Sequence, residues 1–168
     1  MTIILHAQPY DIAAQGFYFD TLEEYQAKAA KAVNDYGDPV EEFEIQFIDG
    51  DQIDCALAQA IGLCQSNIGQ YFDAVEAWDD PQKRVVILAA GDCGYDFTDQ
   101  TQPDDFDIEI YHIDSLRALA EQFVDEGLFG EIPGQLQHYI DYDAIARDLA
   151  ADYSETEIAG IPLVYRCG

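Results

Sequence analysis

Residues 2–8 read as a strand in which apolar and polar residues alternate except at Ile4, and an aromatic run, Phe17-Tyr18-Phe19, follows a loop through Pro9-Tyr10-Asp11. Alternation returns over 42–48, where Phe43, Ile45 and Phe47 are separated by Glu44 and Gln46. A period of two with β-branched and aromatic residues predicts strands at 2–8, 16–20 and 42–48, the last closed by the Asp49-Gly50 turn signal. Between the second and third, Leu22, Tyr25, Ala29 and Val33 fall at helical spacing behind the capping-box sequence Thr21-Leu22-Glu23-Glu24. Residues 34–39 break that helix, so 1–51 reads as a small α/β unit.

The next fifty residues read as mainly helical. Residues 52–64 are rich in Ala, Leu and Ile. Ser66 is placed to cap a helix carrying Ile68, Tyr71, Phe72, Val75 and Trp78 on one face, and Asp80-Pro81 is a helix-start signal with Pro at the first helical position. The run 85–90 suits strand or helix and is read as helix. Residues 91–103 form a connection. Beyond it, alternation predicts a strand over 107–112. A helix capped by Asp114 or Ser115 carries Leu116, Leu119, Ala120, Phe123 and Val124, and a second follows Asp141 with Tyr142, Ile145, Ala146 and Leu149. Two short strands, 156–159 and 161–166, join at Gly160. No internal repeat is visible. The fold class expected is α+β, an elongated chain of three small units at 1–51, 52–102 and 103–168.

Composition changes this picture from ordinary to unusual. The 168 residues hold 34 Asp+Glu against 7 Lys+Arg, a net charge of −27, yet 49% are hydrophobic, with 11 Tyr and 9 Phe. A disordered acidic tail lacks such aromatics, so the chain has a core under an acidic shell. That shell excludes direct binding to nucleic acid or to anionic membranes and favours a basic surface or a cation as partner. The opening residues lack the basic n-region and long apolar run of a signal peptide, so none is expected, and no stretch of the sequence reaches membrane length. Cys55, Cys64, Cys93 and Cys167 lack zinc-like spacing and read as reduced thiols, so the expected location is cytoplasmic.

The acids are not matched by nearby cations. Residues 32–82 contain twelve Asp or Glu and no Lys or Arg, residues 85–116 eight more, and residues 118–146 another six around one Arg-free stretch. Helical i,i+4 pairing cannot neutralise them, and a single-sign field opposes compaction. On the helix after Asp114, Glu121 and Asp125 lie about 6 Å apart along the axis, close to the roughly 7 Å of two phosphate steps in a DNA strand. By the duplex density of one charge per roughly 1.7 Å, 27 negatives correspond to about 46 Å of DNA.

Sites for chemistry are weak by comparison. Asp49-Gly50-Asp51-Gln52-Ile53-Asp54 resembles a calcium loop, but its Gly is second rather than sixth and no Glu stands at position twelve. Asp104-Asp105-Phe106-Asp107 is a similarly poor cation loop. His6, His112 and His138 are isolated, and GxSxG, P-loop and GxGxxG patterns are absent. No catalytic residue, metal or cofactor is therefore expected, and the chain is read as a non-enzyme. The aromatic stretches belong to core or subunit interface, because base stacking would need neighbouring Arg or Lys.

The segment Leu128-Phe129-Gly130-Glu131-Ile132-Pro133-Gly134-Gln135-Leu136-Gln137-His138-Tyr139-Ile140-Asp141-Tyr142, continuing through Ala144, Arg147, Asp148 and Leu149, resembles the signature of ArdA-type antirestriction proteins, with Tyr10-Asp11 and Gly16-Phe17-Tyr18-Phe19-Asp20 as a second, weaker match. The resemblance implies a protein of mobile elements that shields incoming DNA from type I restriction-modification enzymes. It would do so as a curved homodimer imitating bent duplex in the enzyme's DNA groove. On that reading the contact carboxylates are Asp73, Glu76, Asp79, Asp80, Asp104, Asp105, Asp107, Glu109, Glu121, Asp125 and Glu126. Glu131, Pro133, Leu136, Tyr139, Ile140, Asp141, Tyr142, Arg147, Asp148 and Leu149 would serve folding and dimerisation, with Asp141 as a helix cap and Arg147 beside Asp143 and Asp148. The competing readings are an acidic protein adapted to high salt and a divalent-cation binder.

Overall fold

The N-terminal alternation builds β1 (Ile4–Pro9), the middle strand of an antiparallel sheet ordered β2-β1-β3, with β2 at Phe17–Phe19 and β3 at Phe43–Asp49. Leu5 and Ala7 of β1 are fully buried, and Phe19, Phe43 and Ile45 join them, as a period of two requires when one face is covered. Gly16 admits β2 beside β1, since a Cβ there would lie 2.6 Å from the Ala7 carbonyl oxygen and from the His6 ring. Helix α1 (Leu22–Ala29) is capped by Thr21, whose hydroxyl accepts the Glu24 N–H. The Glu24 carboxylate reaches back to the Asp20 N–H instead of the Thr21 N–H. Lys28 and that backbone bond hold the Glu24 carboxyl below its ordinary pKa. The helix stops before Val33, which is exposed and bridges Pro39 instead of extending the apolar stripe.

The computed structural model describes residues 1–168 as two compact units, Met1–Asp105 and Phe106–Gly168. The residues expected as separate units at 1–51 and 52–102 thus share the first, and the second begins at Phe106 rather than at 103. The reason is cover for the sheet. Phe17, Phe19, Tyr25 and Phe43 form an aromatic cluster with ring centroids 5.1–6.3 Å apart, and Phe19 meets Phe72 of helix α3 (Ile68–Ala77) at 6.4 Å. The Phe43 N–H donates to the Gln65 side chain, which donates in turn to the Glu41 carbonyl.

Helix α2 (Gln52–Ala60) packs against α4 (Asp80–Gly91), so the ambiguous run 85–90 is helical. Its start is one residue earlier than expected. Asp79 is the N-cap, in a capping box with Gln82, which leaves Pro81 at the second helical position. At the start of α3 the cap is Asn67 rather than Ser66. Neither side chain caps the helix: Asn67 turns back to the Cys64 N–H and the Gly62 carbonyl, and the Ser66 hydroxyl meets the Cys64 sulfur at 3.0 Å. Between α2 and α4 lies the one buried ion pair, Lys83 Nζ to Asp54 Oδ1 at 2.7 Å, with side chains 8% and 5% exposed. The Tyr71 hydroxyl donates to the Asp54 carbonyl oxygen at 2.8 Å.

In the second unit, β6 (Ile161–Cys167) is the middle strand between β4 (Ile108–Tyr111) and β5 (Ser154–Ile158), all antiparallel. The β5–β6 hairpin turns on Ala159 and Gly160, both at positive φ, 51° and 78°. Two such residues are what a type I′ turn needs, and glycine adopts that region without the penalty of a Cβ. Helix α5 (Leu116–Asp125) is capped by Ser115, not Asp114; its Leu119 and Phe123 form the core with Val164. Tyr111, Phe123 and Tyr153 pack as three mutually edge-on rings. Helix α6 (Tyr142–Leu149) packs on α5. Of the four cysteines expected as reduced, Cys55 and Cys64 are free thiols. No helix is long and apolar enough to cross a membrane.

Lys83→Met strands a buried carboxylate and is expected to cost about 3–5 kcal/mol in urea unfolding, whereas replacing both partners, Lys83→Met with Asp54→Leu, recovers most of that loss. Burial, then the nearby Asp54 charge, raises the Tyr71 phenol above its ordinary pKa. The folded state favours the neutral phenol, so its contribution is intact below about pH 10 and is lost above it, by at most about 1.4 kcal/mol per pH unit. Alkaline stability of Tyr71→Phe, measured by denaturant midpoints at stepped pH, should decline less steeply than that of the parent.

Candidate interaction surface

An amphipathic helix fixes the first group of carboxylates. Burying Ile68, Tyr71 and Ala74 turns Asp73 and Glu76 of α3 outward. Asp79 and Asp80 follow at the start of α4, both exposed. There the helix dipole favours anions, and Asp79 caps the Gln82 N–H at 2.9 Å. Asp104 and Asp105 are exposed on a 3-10 turn, Pro103–Asp105, anchored by buried Pro103, with Asp105 accepting the Gln102 N–H. None of these six forms a salt bridge within its unit.

Folding also gathers acids that are remote in sequence. Asp73 and Glu76 line one groove of about 380 Å³ together with Asp20 and Glu23 from the β2–α1 corner. Asp73 lines a second groove, of about 540 Å³, with Asp99. No Lys, Arg or His lines either one. Asp20, Glu23 and Asp99 were not singled out by sequence, because no local spacing links them to Asp73. Only the packing of α1 and of the 97–102 segment around α3 does so.

The second unit treats its carboxylates less uniformly. Asp107 and Glu109 belong to the β4 region and are exposed, but Glu109 stands opposite Arg166 in the β4–β6 ladder. It also accepts long hydrogen bonds from the Tyr111 and Tyr153 hydroxyls, at 3.5 and 3.4 Å. Arg166 lies over the Tyr153 ring at 5.7 Å; Tyr153, then Glu109, raises its guanidinium pKa. Burial first, and the Glu109 charge second, raise the Tyr111 phenol. Glu121 is only half-exposed and pairs with Arg117 at 3.4 Å, so it is partly neutralised, unlike Asp125 one turn on. Asp125 and Glu126 line a groove of about 430 Å³ with Glu131 and Tyr142.

The signature segment divides by role. Asp141 caps α6 by accepting the Ala144 N–H at 3.0 Å, and Leu149 packs against the Leu119–Phe123–Val164 core. Ile140 and Tyr142 are half-buried. Arg147 and Asp148 are exposed, and Arg147 does not pair with Asp143 as expected. Arg117 of α5 takes Asp143 instead, at 2.7 Å, and its pKa is raised chiefly by that contact. A partner 26 residues away on the facing helix outcompetes the one four residues away on the same helix. Glu131, Pro133, Leu136 and Tyr139 are exposed, and with Leu128 and Phe129 they leave four large apolar side chains uncovered, Leu128 at 65% and Tyr139 at 82%.

The residues considered for chemistry are engaged otherwise. Asp54, the last acid of the calcium-like sequence, is held by Lys83, and Asp51 lies 3.9 Å from the chain's amino terminus. His6 approaches Gln46 at 3.3 Å and packs on Tyr18 at 4.7 Å. The Cys64 thiol is lowered mainly by the Ser66 hydroxyl. No group of three or more His, Cys, Asp or Glu side chains is arranged to hold a metal ion.

Comparison with curated proteins returns no match. Residues 8–160 match the family model described as antirestriction protein (ArdA), a span that holds all six helices and the signature segment and ends just before β6. The chain therefore belongs to the ArdA antirestriction protein family.

Proposed function

We propose that this antirestriction protein acts by standing in for duplex DNA, occupying as a homodimer the DNA-binding groove of a type I restriction-modification enzyme and blocking it by competition. One observation carries the reading: of 34 acidic residues only Asp54 is buried, while the salt bridges draw on four cations, the amino terminus, Lys28, Lys83 and Arg117. An array of fixed, solvated, unpaired anions is what a groove built for phosphates attracts. Asp73, Glu76, Asp79, Asp80, Asp104 and Asp105 in the first unit and Asp107, Glu109, Asp125 and Glu126 in the second are the proposed contacts, with Glu121 a weaker one because Arg117 shares it. The mechanism needs no bond-making step. It needs the carboxylates held outward by rigid elements, so that little ordering is left to be done on binding.

The dimer is assigned to the signature segment. Leu128, Phe129, Leu136 and Tyr139 are exposed within about a dozen residues, and such a concentration of apolar side chains on a highly charged protein marks an interface. A second copy meets the requirement by covering the same patch on both partners.

Inhibition of a type I enzyme in vitro should weaken by about tenfold or more between about 50 and about 200 mM salt and be relieved by added duplex DNA. Single changes such as Asp80→Asn should shift the inhibitory concentration less than about threefold. Asp79→Asn, Asp80→Asn, Asp104→Asn and Asp105→Asn together should raise it by about thirtyfold, with Asn retaining the Asp79 and Asp105 acceptor roles. Loss of all inhibition from one such neutralisation in a folded protein would refute a distributed mimic. In sedimentation, the parent should run as a dimer and Leu136→Asp with Tyr139→Asp as a folded monomer; a monomeric parent would remove the dimer from the proposal.

A further inference from the structure

The groove of about 540 Å³ beside α3 differs from the open carboxylate surface around it. Its wall is an aromatic pair, Trp78 and Phe97, set edge to face with centroids 6.4 Å apart at 86°. Two carboxylates, Asp73 and Asp99, stand at the same groove, neither in a salt bridge within the unit. Gln70 and Gln102 line it with side-chain amides that make no hydrogen bond within the unit. By contrast the Thr98 and Thr101 hydroxyls are satisfied locally, where Thr101 accepts the Thr98 N–H at 2.8 Å and so stiffens the loop that carries Phe97 and Asp99.

We infer that this groove is a receptor for an arginine side chain presented by the partner protein. The assignment rests on the DNA-mimic reading for the source of that arginine, because a cleft that grips phosphates is furnished with guanidinium groups. The groove's own chemistry selects the ligand. An anion is repelled, since two carboxylates and no basic group line the walls. A divalent ion lacks a converging set of three acidic, His or Cys ligands. A guanidinium satisfies each element at once. Its flat, weakly hydrated face lies on Trp78, its fork of five donors reaches Asp73 or Asp99, and its remaining N–H groups meet the Gln70 and Gln102 amide oxygens. Lysine offers a strongly hydrated point charge with no face to stack, so arginine is preferred over it.

The consequence is a discrete anchor within a diffuse field. Elsewhere the carboxylates act additively, whereas here one partner side chain is desolvated against an aromatic wall.

Trp78 is the only tryptophan in the chain, so its fluorescence and its indole NMR signal report the groove directly. The full-length protein is titrated with N-acetyl-arginine amide, N-acetyl-lysine amide and N-acetyl-citrulline amide at constant ionic strength. A saturable response is expected with arginine, one about five-fold weaker with lysine, and none with uncharged citrulline. Asp73→Asn with Asp99→Asn should weaken the arginine response about tenfold, while Asp35→Asn with Asp38→Asn, exposed acids that do not line the groove, leaves it unchanged. Equal responses to arginine and lysine, no saturable response, or insensitivity to the Asp73 and Asp99 changes overturns the assignment. The titration uses this chain alone. Arginine capture without enzyme inhibition would sink the DNA-mimic function and leave the groove standing, and inhibition without arginine capture would do the reverse.

Discussion

Repulsion among unpaired carboxylates is the constraint under which every part of this molecule is built. Two like charges about 6 Å apart cost about 0.7 kcal/mol even at the dielectric constant of water, and a net charge of −27 multiplies such contacts across the surface. Seven Lys+Arg residues cannot offset them. The compensation lies in where the acids are placed and in what lies beneath them. Acids cap or open four of the helices: Glu23 and Glu24 on α1, Asp51 and Asp54 on α2, Asp79 and Asp80 on α4, Asp141 and Asp143 on α6. There the unsatisfied N–H groups and the helix dipole stabilise negative charge. Under the acids lie aromatic clusters, Phe17–Phe19–Tyr25–Phe43 in one unit and Tyr111–Phe123–Tyr153 in the other. Large rings bury much apolar area per residue, which suits small units that must withstand a hostile surface.

Three of the seven basic residues tie together parts of the fold that lie far apart in sequence. Lys83 neutralises the only buried acid, and Arg117 bridges α5 to α6 through Asp143 while holding Glu121. Arg166 stacks over Tyr153 and faces Glu109. These contacts join elements distant in the chain, and that distance explains what the sequence could and could not disclose. Local rules read well: the alternation at 4–9 and 43–49, the capping signals at Thr21, Ser115 and Asp141, and the turn at Gly160 all have causes within a few residues. The missed features have causes across tens of residues. Lys83 finds Asp54 at a separation of 29 and Arg117 finds Asp143 at 26. Asp20, Glu23 and Asp73 meet only once α1 lies against α3. Even Asn67, a good capping residue by type, is diverted by the Cys64 N–H and the Gly62 carbonyl.

The signature segment was legible for a different reason. Its motif, from Glu131 to Leu149, identifies the family, which the match over residues 8–160 bears out. Motif and fold then separate roles that a string of letters presents together. Asp141 caps α6 and Leu149 packs on the core, while the side chains of Leu136 and Tyr139 are exposed. Those exposed apolar residues are the ones proposed to meet a second copy of the chain.

A surface of one sign and a groove with a shape act at different distances, and an inhibitor of this kind benefits from both. At physiological salt the field of exposed charges decays over about 8 Å, so it speeds and orients encounter but discriminates weakly among basic clefts. Residence on the target depends instead on contacts that exclude water, where an aromatic face and a carboxylate act on the same group. Scattered carboxylates alone would give a protein that meets many basic surfaces and leaves them quickly. On the proposed reading, Trp78 and Phe97 in the wall of an acidic groove would supply short-range selection without adding a single positive charge to the surface that would do the steering.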